Sequence, residues 1–183
     1  MKIDASTPQQ ANILSLKSFF ALLLATLTLQ PAARPDQSVM VEIPATSPWT
    51  DTGIDVKPGD RIEIRAWGGV SYDTASPGAV VGPNGSGRSD GACEYVVTDA
   101  RVAAHSLVAN VSRDLTFDGR GFYIGASWKG TVPFAGTSAP AGRLFIGFND
   151  RGVLCDRSGY DSWKFRNANS GGFTAVVTVT RAR

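Results

Sequence analysis

The sequence has few of the residues on which catalytic and transition-metal centres usually depend. Its 183 residues include one histidine and two cysteines. Neither a histidine and cysteine cluster with zinc-site spacing nor a C-x-x-C redox pair occurs. No G-x-S-x-G nucleophile elbow is present, and a catalytic triad could draw only on His105. Because His105 precedes an apolar run, it is interpreted as the start of a strand. Without a nucleophile motif and with a single histidine, the protein is predicted not to be an enzyme.

Concentrated positive charge is also absent. The formal net charge is +2, and no run of Lys or Arg is longer than two residues. Proteins that bind nucleic acids carry basic patches, so no nucleic-acid partner is expected.

Long apolar runs are limited to one near the N-terminus. Lys17 precedes the segment SFFALLLATLTL (Ser18–Leu29), which small residues follow. This order is typical of a secretory signal peptide, and the run is shorter than the roughly 20 residues that span a bilayer. We predict a signal peptide over residues 1–33 and one secreted or periplasmic domain over residues 34–183, with no stable membrane insertion after leader removal. A leader retained as a membrane anchor is the alternative.

The two cysteines, Cys93 and Cys155, bear on the same compartment. Both lie in segments rich in glycine or polar residues. An even pair of cysteines in an oxidising compartment commonly forms a disulfide, and this pairing is expected here.

Alternation of apolar and polar residues characterises the chain beyond residue 34. In RIEIRAW, Ile62, Ile64 and Ala66 share one face of a strand and charged residues share the other. The 20 glycines and 10 prolines favour turns over long helices. The pattern predicts an all-β protein, an antiparallel two-sheet β-sandwich of the jelly-roll type, with Trp49 and Trp67 packed in its core. The segments expected as strands are SVMVEIPA, IDV, RIEIRAW, EYVVT, SLVANV, LTFDGRGFYIG, GRLFIGF and GGFTAVVTVT.

Oxygen-bearing side chains stand at two strand ends. FIGFND places Asn149 and Asp150 after one strand, and RNANSGGF places Asn167 and Asn169 before the last strand. Such residues are common in turns because they satisfy backbone groups and tolerate left-handed conformations. Oxygens drawn from two loops also suit calcium, which takes 6–8 oxygen ligands. Both interpretations stay open on these residues alone.

Five segments together resemble a known family. WTDTGIDVKPGDRIEIRAWGGVSY, GPNG, HSLVANV, GRLFIGFND and NSGGFTAVV, in this order across residues 38–181, are similar to the PA-I type galactophilic lectins. The resemblance implies a galactose-binding-like β-sandwich that binds calcium and, through it, the vicinal hydroxyls of galactose-type or related sugars. The expected partner is a glycan or polysaccharide, and an oligomer is possible.

The resemblance also implies a ligand set for calcium. It would combine the side chains of Asp150 and Asn169 with the backbone carbonyls of Tyr72 and Phe165. Ala168 occupies the position of a further asparagine ligand and has no side-chain oxygen, so Asn167 or a water would have to replace it.

The sugar would bond Asp150 and Asn169 directly. In the loop GPNGSGRSDG, Arg88 and Asp90 stand where the family uses His and Gln to contact the ring. Trp163 and Tyr160, in the segment after Asp150, are candidates for stacking on the sugar.

Two other hypotheses remain. The same sandwich could serve without a metal as a structural or protein-interaction module of the cell envelope. A small hydrolase is the third hypothesis.

Overall fold

The strands occupy most of the chain that the computed structural model describes, which is residues 36–72, 80–88, 95–113, 119–151 and 169–183. These residues form no helix, and hence none long and apolar enough to cross a membrane. The predicted leader and both cysteines lie outside the described residues. The strands are β1 (Gln37–Pro44), β2 (Thr50–Val56), β3 (Arg61–Ser71), β4 (Gly87–Arg88), β5 (Ala103–Ala104), β6 (Leu107–Ser112), β7 (Phe122–Tyr123), β8 (Ser127–Thr131), β9 (Gly142–Phe148) and β10 (Ser170–Thr180).

Two four-stranded antiparallel sheets carry the fold, in the orders β1-β10-β3-β8 and β2-β9-β6-β7, and β4 pairs with β5 in a small ribbon. The prediction of an all-β, two-sheet antiparallel sandwich is confirmed. The long pairing of β3 with β10 runs from Arg61 opposite Thr180 to Ser71 opposite Ser170. The turn before β3 therefore shares one end of the sandwich with the C-terminus. The end of β3 shares the other end with the start of β10.

The core forms where the alternating apolar faces of the sheets meet. On β3, Ile62, Ile64 and Ala66 are buried, as their spacing predicts. Phe173 of β10 and Phe148 of β9 pack with ring centroids 5.9 Å apart, and this contact joins the two sheets. Burial of each such side chain stabilises the fold by about 1.5–3 kcal/mol.

The tryptophans divide between core and surface. Trp49 is buried, as predicted, and it packs where Gly147 leaves room. A Cβ at Gly147 would clash with the Pro48 carbonyl oxygen and lie 2.8 Å from the Trp49 ring, so no side chain fits there. The prediction for Trp67 is wrong, because this residue is 50% exposed. It continues the alternation of Arg61 and its neighbours on β3, so its side chain falls on the outer face.

Two expected strands are shorter than predicted. The described residues of EYVVT, 95–98, contribute only an isolated bridge between Tyr95 and Arg151. Its amides instead turn to the end of β9, where Val96 N–H donates to the Asp150 carbonyl oxygen (3.2 Å) and Val97 N–H donates to the Asn149 side chain (2.9 Å). In the described part of LTFDGRGFYIG, only β7 forms.

Candidate functional site

Three strand ends meet at one end of the sandwich. Asp150 lies two residues beyond β9, Asn169 immediately precedes β10, and Tyr72 immediately follows β3. Because Ser71 pairs with Ser170, Tyr72 and Asn169 are the next two residues at the same sheet end. The topology thus gathers three of the residues singled out as calcium ligands.

Asp150 and Asn169 are in direct contact. The Asn169 amide donates from Nδ2 to Asp150 Oδ2 at 2.9 Å and also to the Ala45 carbonyl oxygen at 2.9 Å. Both residues are buried, with 8% and 6% of their surface exposed. The convergence expected from the two strand ends is therefore present, while the role of these residues as ligands stays a prediction.

Asn149 has a different task from its neighbour Asp150. It is fully buried, and its amide group accepts from Val97 N–H at 2.9 Å and donates to the Ala103 carbonyl oxygen at 3.0 Å. Its backbone carbonyl accepts from His105 N–H at 2.8 Å. Of the two residues that end FIGFND, Asn149 therefore secures the turn, which leaves Asp150 to face the site.

His105 completes the cluster, and the sequence did not predict this. Its Nε2 lies 3.3 Å from Asp150 Oδ1, and its Nδ1 lies 2.6 Å from Ser86 Oγ. The Tyr72 ring stacks on the imidazole, with centroids 3.5 Å apart and planes inclined by 15°. His105 thus joins the loop that carries Ser86 to the carboxylate, rather than starting a strand.

The backbone of His105 is unusual. Its φ angle of +56° lies in the left-handed region, which side chains other than glycine seldom adopt, at a cost on the order of 1 kcal/mol. Strain of this kind persists only where surrounding contacts hold it. Here it turns the imidazole toward Asp150 at the bend between β5 and β6.

The charge balance of the site is incomplete. Within the described part of the chain, His105 is the only basic side chain at ion-pair distance from Asp150. The other donors to its carboxylate among the described residues, Asn169 Nδ2 and the Arg151 backbone amide at 2.7 Å, are uncharged. A buried carboxylate is costly unless a charge or several hydrogen bonds compensate it. A cation bound at Asp150 would supply this compensation.

A polar oxygen beside Asp150 also lacks a partner. Asn169 Oδ1 is buried and accepts no hydrogen bond from any residue that the structure describes. Rotation of this amide would turn Oδ1 toward Asp150 Oδ2 and the Ala45 carbonyl oxygen, which now accept from Nδ2. Three oxygens facing one another are unfavourable alone but favourable around a cation. A carboxylate and an amide oxygen are hard ligands of the kind calcium takes. The donor set therefore fits calcium.

Of the other predicted site residues, the backbone of Arg88 is described by the structure, and the rest lie outside the described ranges. The loop GPNG is anchored by Asn84 Oδ1, which accepts from Tyr123 OH at 3.1 Å and Ala126 N–H at 2.9 Å. Arg88 follows in β4, where its backbone pairs with Ala103, two residues before His105. The predicted residues outside the described ranges are Asp90, Tyr160, Trp163, Phe165 and Asn167, together with the predicted disulfide partners Cys93 and Cys155.

Sequence patterns offered little signal for His105 and Ser86. Neither belongs to a periodic segment, and they are 19 residues apart in the chain. The one available signal was that His105 is the single histidine and lies between loop and strand.

Comparisons with known proteins give few matches. No protein-family model matches the sequence, and no curated protein does. Among eight matching solved chains is one described as "EclA N-terminal domain; PllA-like lectin". This chain is 21% identical to it over 78% of its own length and 95% of the other chain, with a TM-score of 0.49.

Proposed function

We propose that this protein is an exported carbohydrate-binding domain that holds calcium at Asp150 and Asn169. Its ligands would be galactose-type or related sugars, bound through vicinal hydroxyls. The observation that carries the proposal is the buried Asp150 carboxylate, which has no Lys or Arg partner among the described residues and contacts Asn169, whose Oδ1 accepts no hydrogen bond from them. Export is inferred from the leader-like N-terminus.

Calcium would be held by the Asp150 carboxylate, Asn169 Oδ1 and the Tyr72 carbonyl, and would supply a hard cation to which two sugar hydroxyls bond. Asp150 would accept hydrogen bonds from those hydroxyls, because a carboxylate oxygen has more than one lone pair. Burial of Asp150 and Asn169 would keep water from competing. Recognition would then depend on sugars whose adjacent hydroxyls have a matching spacing.

One arrangement at the site resembles a hydrolase triad. Ser86, His105 and Asp150 follow one another at 2.6 Å and 3.3 Å. Ester or amide hydrolysis also needs free N–H donors for the developing oxyanion. The amides of Gly85 and Ser86 already donate to the carbonyls of Gly82 (3.0 Å) and Ala104 (2.9 Å). These two amides are therefore not free to bind an oxyanion, and the absence of activity stays a prediction that chromogenic esters and glycosides can test.

Thermal unfolding with calcium and then with a chelator tests the metal. An affinity on the order of 10⁻³–10⁻⁴ M at about 10 mM calcium gives a stabilisation of about 1.4–2.7 kcal/mol. For a domain of this size we expect the melting temperature to rise by about 5 °C and to return after chelation. A glycan screen in calcium and in chelator then tests the sugar. An unchanged melt would favour the metal-free envelope module.

A further inference from the structure

We infer that His105 is a saccharide-contacting residue, which donates a hydrogen bond from Nε2 to a ligand hydroxyl beside Asp150 and so helps to select the sugar. The inference rests on the proposed function and adds a residue from a part of the chain where sequence reasoning expected only the start of a strand.

The imidazole is held on several sides before any ligand arrives. Tyr72 stacks on one face, and Ser86 Oγ contacts Nδ1 at 2.6 Å. The His105 backbone is fixed by its N–H bond to the Asn149 carbonyl oxygen. With the ring face and Nδ1 occupied, Nε2 is the edge that points to the carboxylate. A ring held in this way can contribute a directed hydrogen bond at little entropic cost.

The surroundings also determine which nitrogen carries the proton in the neutral ring. Nε2 faces a carboxylate oxygen, which accepts hydrogen bonds and cannot donate one. The favourable tautomer therefore has the proton on Nε2, and Nδ1 accepts from the Ser86 hydroxyl. Ser86 is thus a positioning residue that maintains His105 as a donor toward the site.

The contact of His105 Nε2 with Asp150 is long enough for a ligand hydroxyl to replace Asp150 as the partner of Nε2. Its length of 3.3 Å exceeds the roughly 2.7–2.9 Å of a strong charge-assisted hydrogen bond. If a cation takes the Asp150 oxygens, these oxygens are no longer open to Nε2–H, and the His105 side chain is only 15% exposed to water. A buried donor without a partner is unfavourable, and a sugar hydroxyl bound next to the carboxylate would satisfy it. The ligand class is therefore a saccharide with a third hydroxyl near its vicinal pair.

The single histidine makes this inference directly measurable. In a ¹H–¹⁵N spectrum of the imidazole, all signals belong to His105. The wild type is first saturated with calcium and then titrated with methyl β-galactoside. We expect the Nε2-protonated tautomer throughout, and a change in the Nε2–H signal that follows sugar occupancy.

His105→Gly is the matched variant, because glycine adopts a φ of +56° without strain and the fold should tolerate it. We expect calcium affinity to be kept or tightened and methyl β-galactoside affinity to fall about tenfold, the value of one hydrogen bond. Ser86→Ala should weaken sugar binding less and shift the tautomer population. Asp99→Asn, a change at an exposed carboxylate that pairs with Arg101, should alter neither affinity.

The outcomes separate the inference from the proposed function. If the wild type binds methyl β-galactoside in calcium, and His105→Gly binds it equally well or the imidazole signals stay unchanged at saturation, the inference is wrong and the proposed function stands. If the wild type in calcium does not bind methyl β-galactoside, the galactose-binding function fails and the inference fails with it.

Discussion

Two buried aspartates stand at opposite ends of the sandwich, and the chain compensates them differently. Asp60, in the turn between β2 and β3, accepts from Arg181 Nη1 at 2.9 Å and from the amides of Ala182 (3.0 Å) and Lys57 (3.1 Å). Asp150, beyond β9, accepts only uncharged donors among the described residues, apart from its contact with the titratable His105. Asp60 thus has a permanent cation from its own chain, whereas no Lys or Arg in the described ranges pairs with Asp150.

The difference indicates two kinds of buried carboxylate. Burial alone would raise the pKa of Asp60. The hydrogen bonds from Ala182, Arg181 and Lys57 and the charge of Arg181 together lower the pKa by more than burial raises it, so it lies below its ordinary value. Asp60 is therefore structural, and it ties the C-terminus to the turn before β3. Asp150 contacts Asn169, whose Oδ1 has no hydrogen-bond partner in the part of the chain that the structure describes, and this arrangement suits a ligand from outside the chain.

The largest expected effect is that of Asp60→Asn. This change leaves the Arg181 guanidinium, whose side chain is only 7% exposed, without its carboxylate. Breaking a buried pair in this way should lower the free energy of unfolding by about 3 kcal/mol, measured by urea denaturation. The matched control is Asp55→Asn, whose pair with Arg143 is partly exposed and should contribute less than about 1 kcal/mol. Equal losses in the two variants would contradict the structural role of Asp60.

The second largest effect is that of Asp150→Asn. Unlike Asp60→Asn, it should change stability little in the absence of calcium and remove the stabilisation by calcium. Without calcium we expect a change in unfolding free energy of about 1 kcal/mol or less, because among the described residues no Lys or Arg would lose its partner. At about 10 mM calcium the variant should lack the stabilisation of about 1.4–2.7 kcal/mol expected for the wild type. Asp99→Asn should retain that stabilisation in the same thermal melts. A calcium response that survives in Asp150→Asn would place the metal elsewhere.

The smallest effect is the onset of acid destabilisation. Because the pKa of Asp60 is lower in the folded protein than its ordinary value of 3.8, its contribution is complete above that value and is lost as the pH falls through the folded pKa. The stability difference between the wild type and Asp60→Asn should therefore stay constant from about pH 7 to pH 5 and shrink below about pH 4. Urea denaturation across this range measures it, and a difference that grows toward acid pH would contradict the assignment.

Strand periodicity predicted the parts of the fold that depend on local alternation. The burial of Ile62 and Ile64 follows from it, and so does the exposure of Trp67, which the preference of tryptophan for core positions obscured. The meeting of Asp150 with Asn169 was predictable because each stands at a strand end. Segment EYVVT was misjudged because its apolar residues are buried without joining a ladder, and long-range acceptors determine where its amides bond.

The contribution of His105 could not be predicted in this way. Its position depends on a left-handed backbone angle and on contacts with Ser86 and Asp150, which are distant in the chain. Neither feature has a periodic signature. Sites assembled from several loops depend on such tertiary contacts, so composition and spacing identify only some of their members.

The hydrogen bonds of Asn149 affect the kinetics and energetics of binding. Its amide group connects the Val97 and Ala103 segments, its backbone N–H donates to the Ser106 carbonyl oxygen at 2.9 Å, and its carbonyl accepts from His105 N–H. The residue next to Asp150 is thereby anchored to two other segments of the chain, one at Val97 and one from Ala103 to Ser106. The carboxylate is preorganised, so little conformational entropy is lost there on association, and differences in affinity among ligands should be expressed mainly in their dissociation rates.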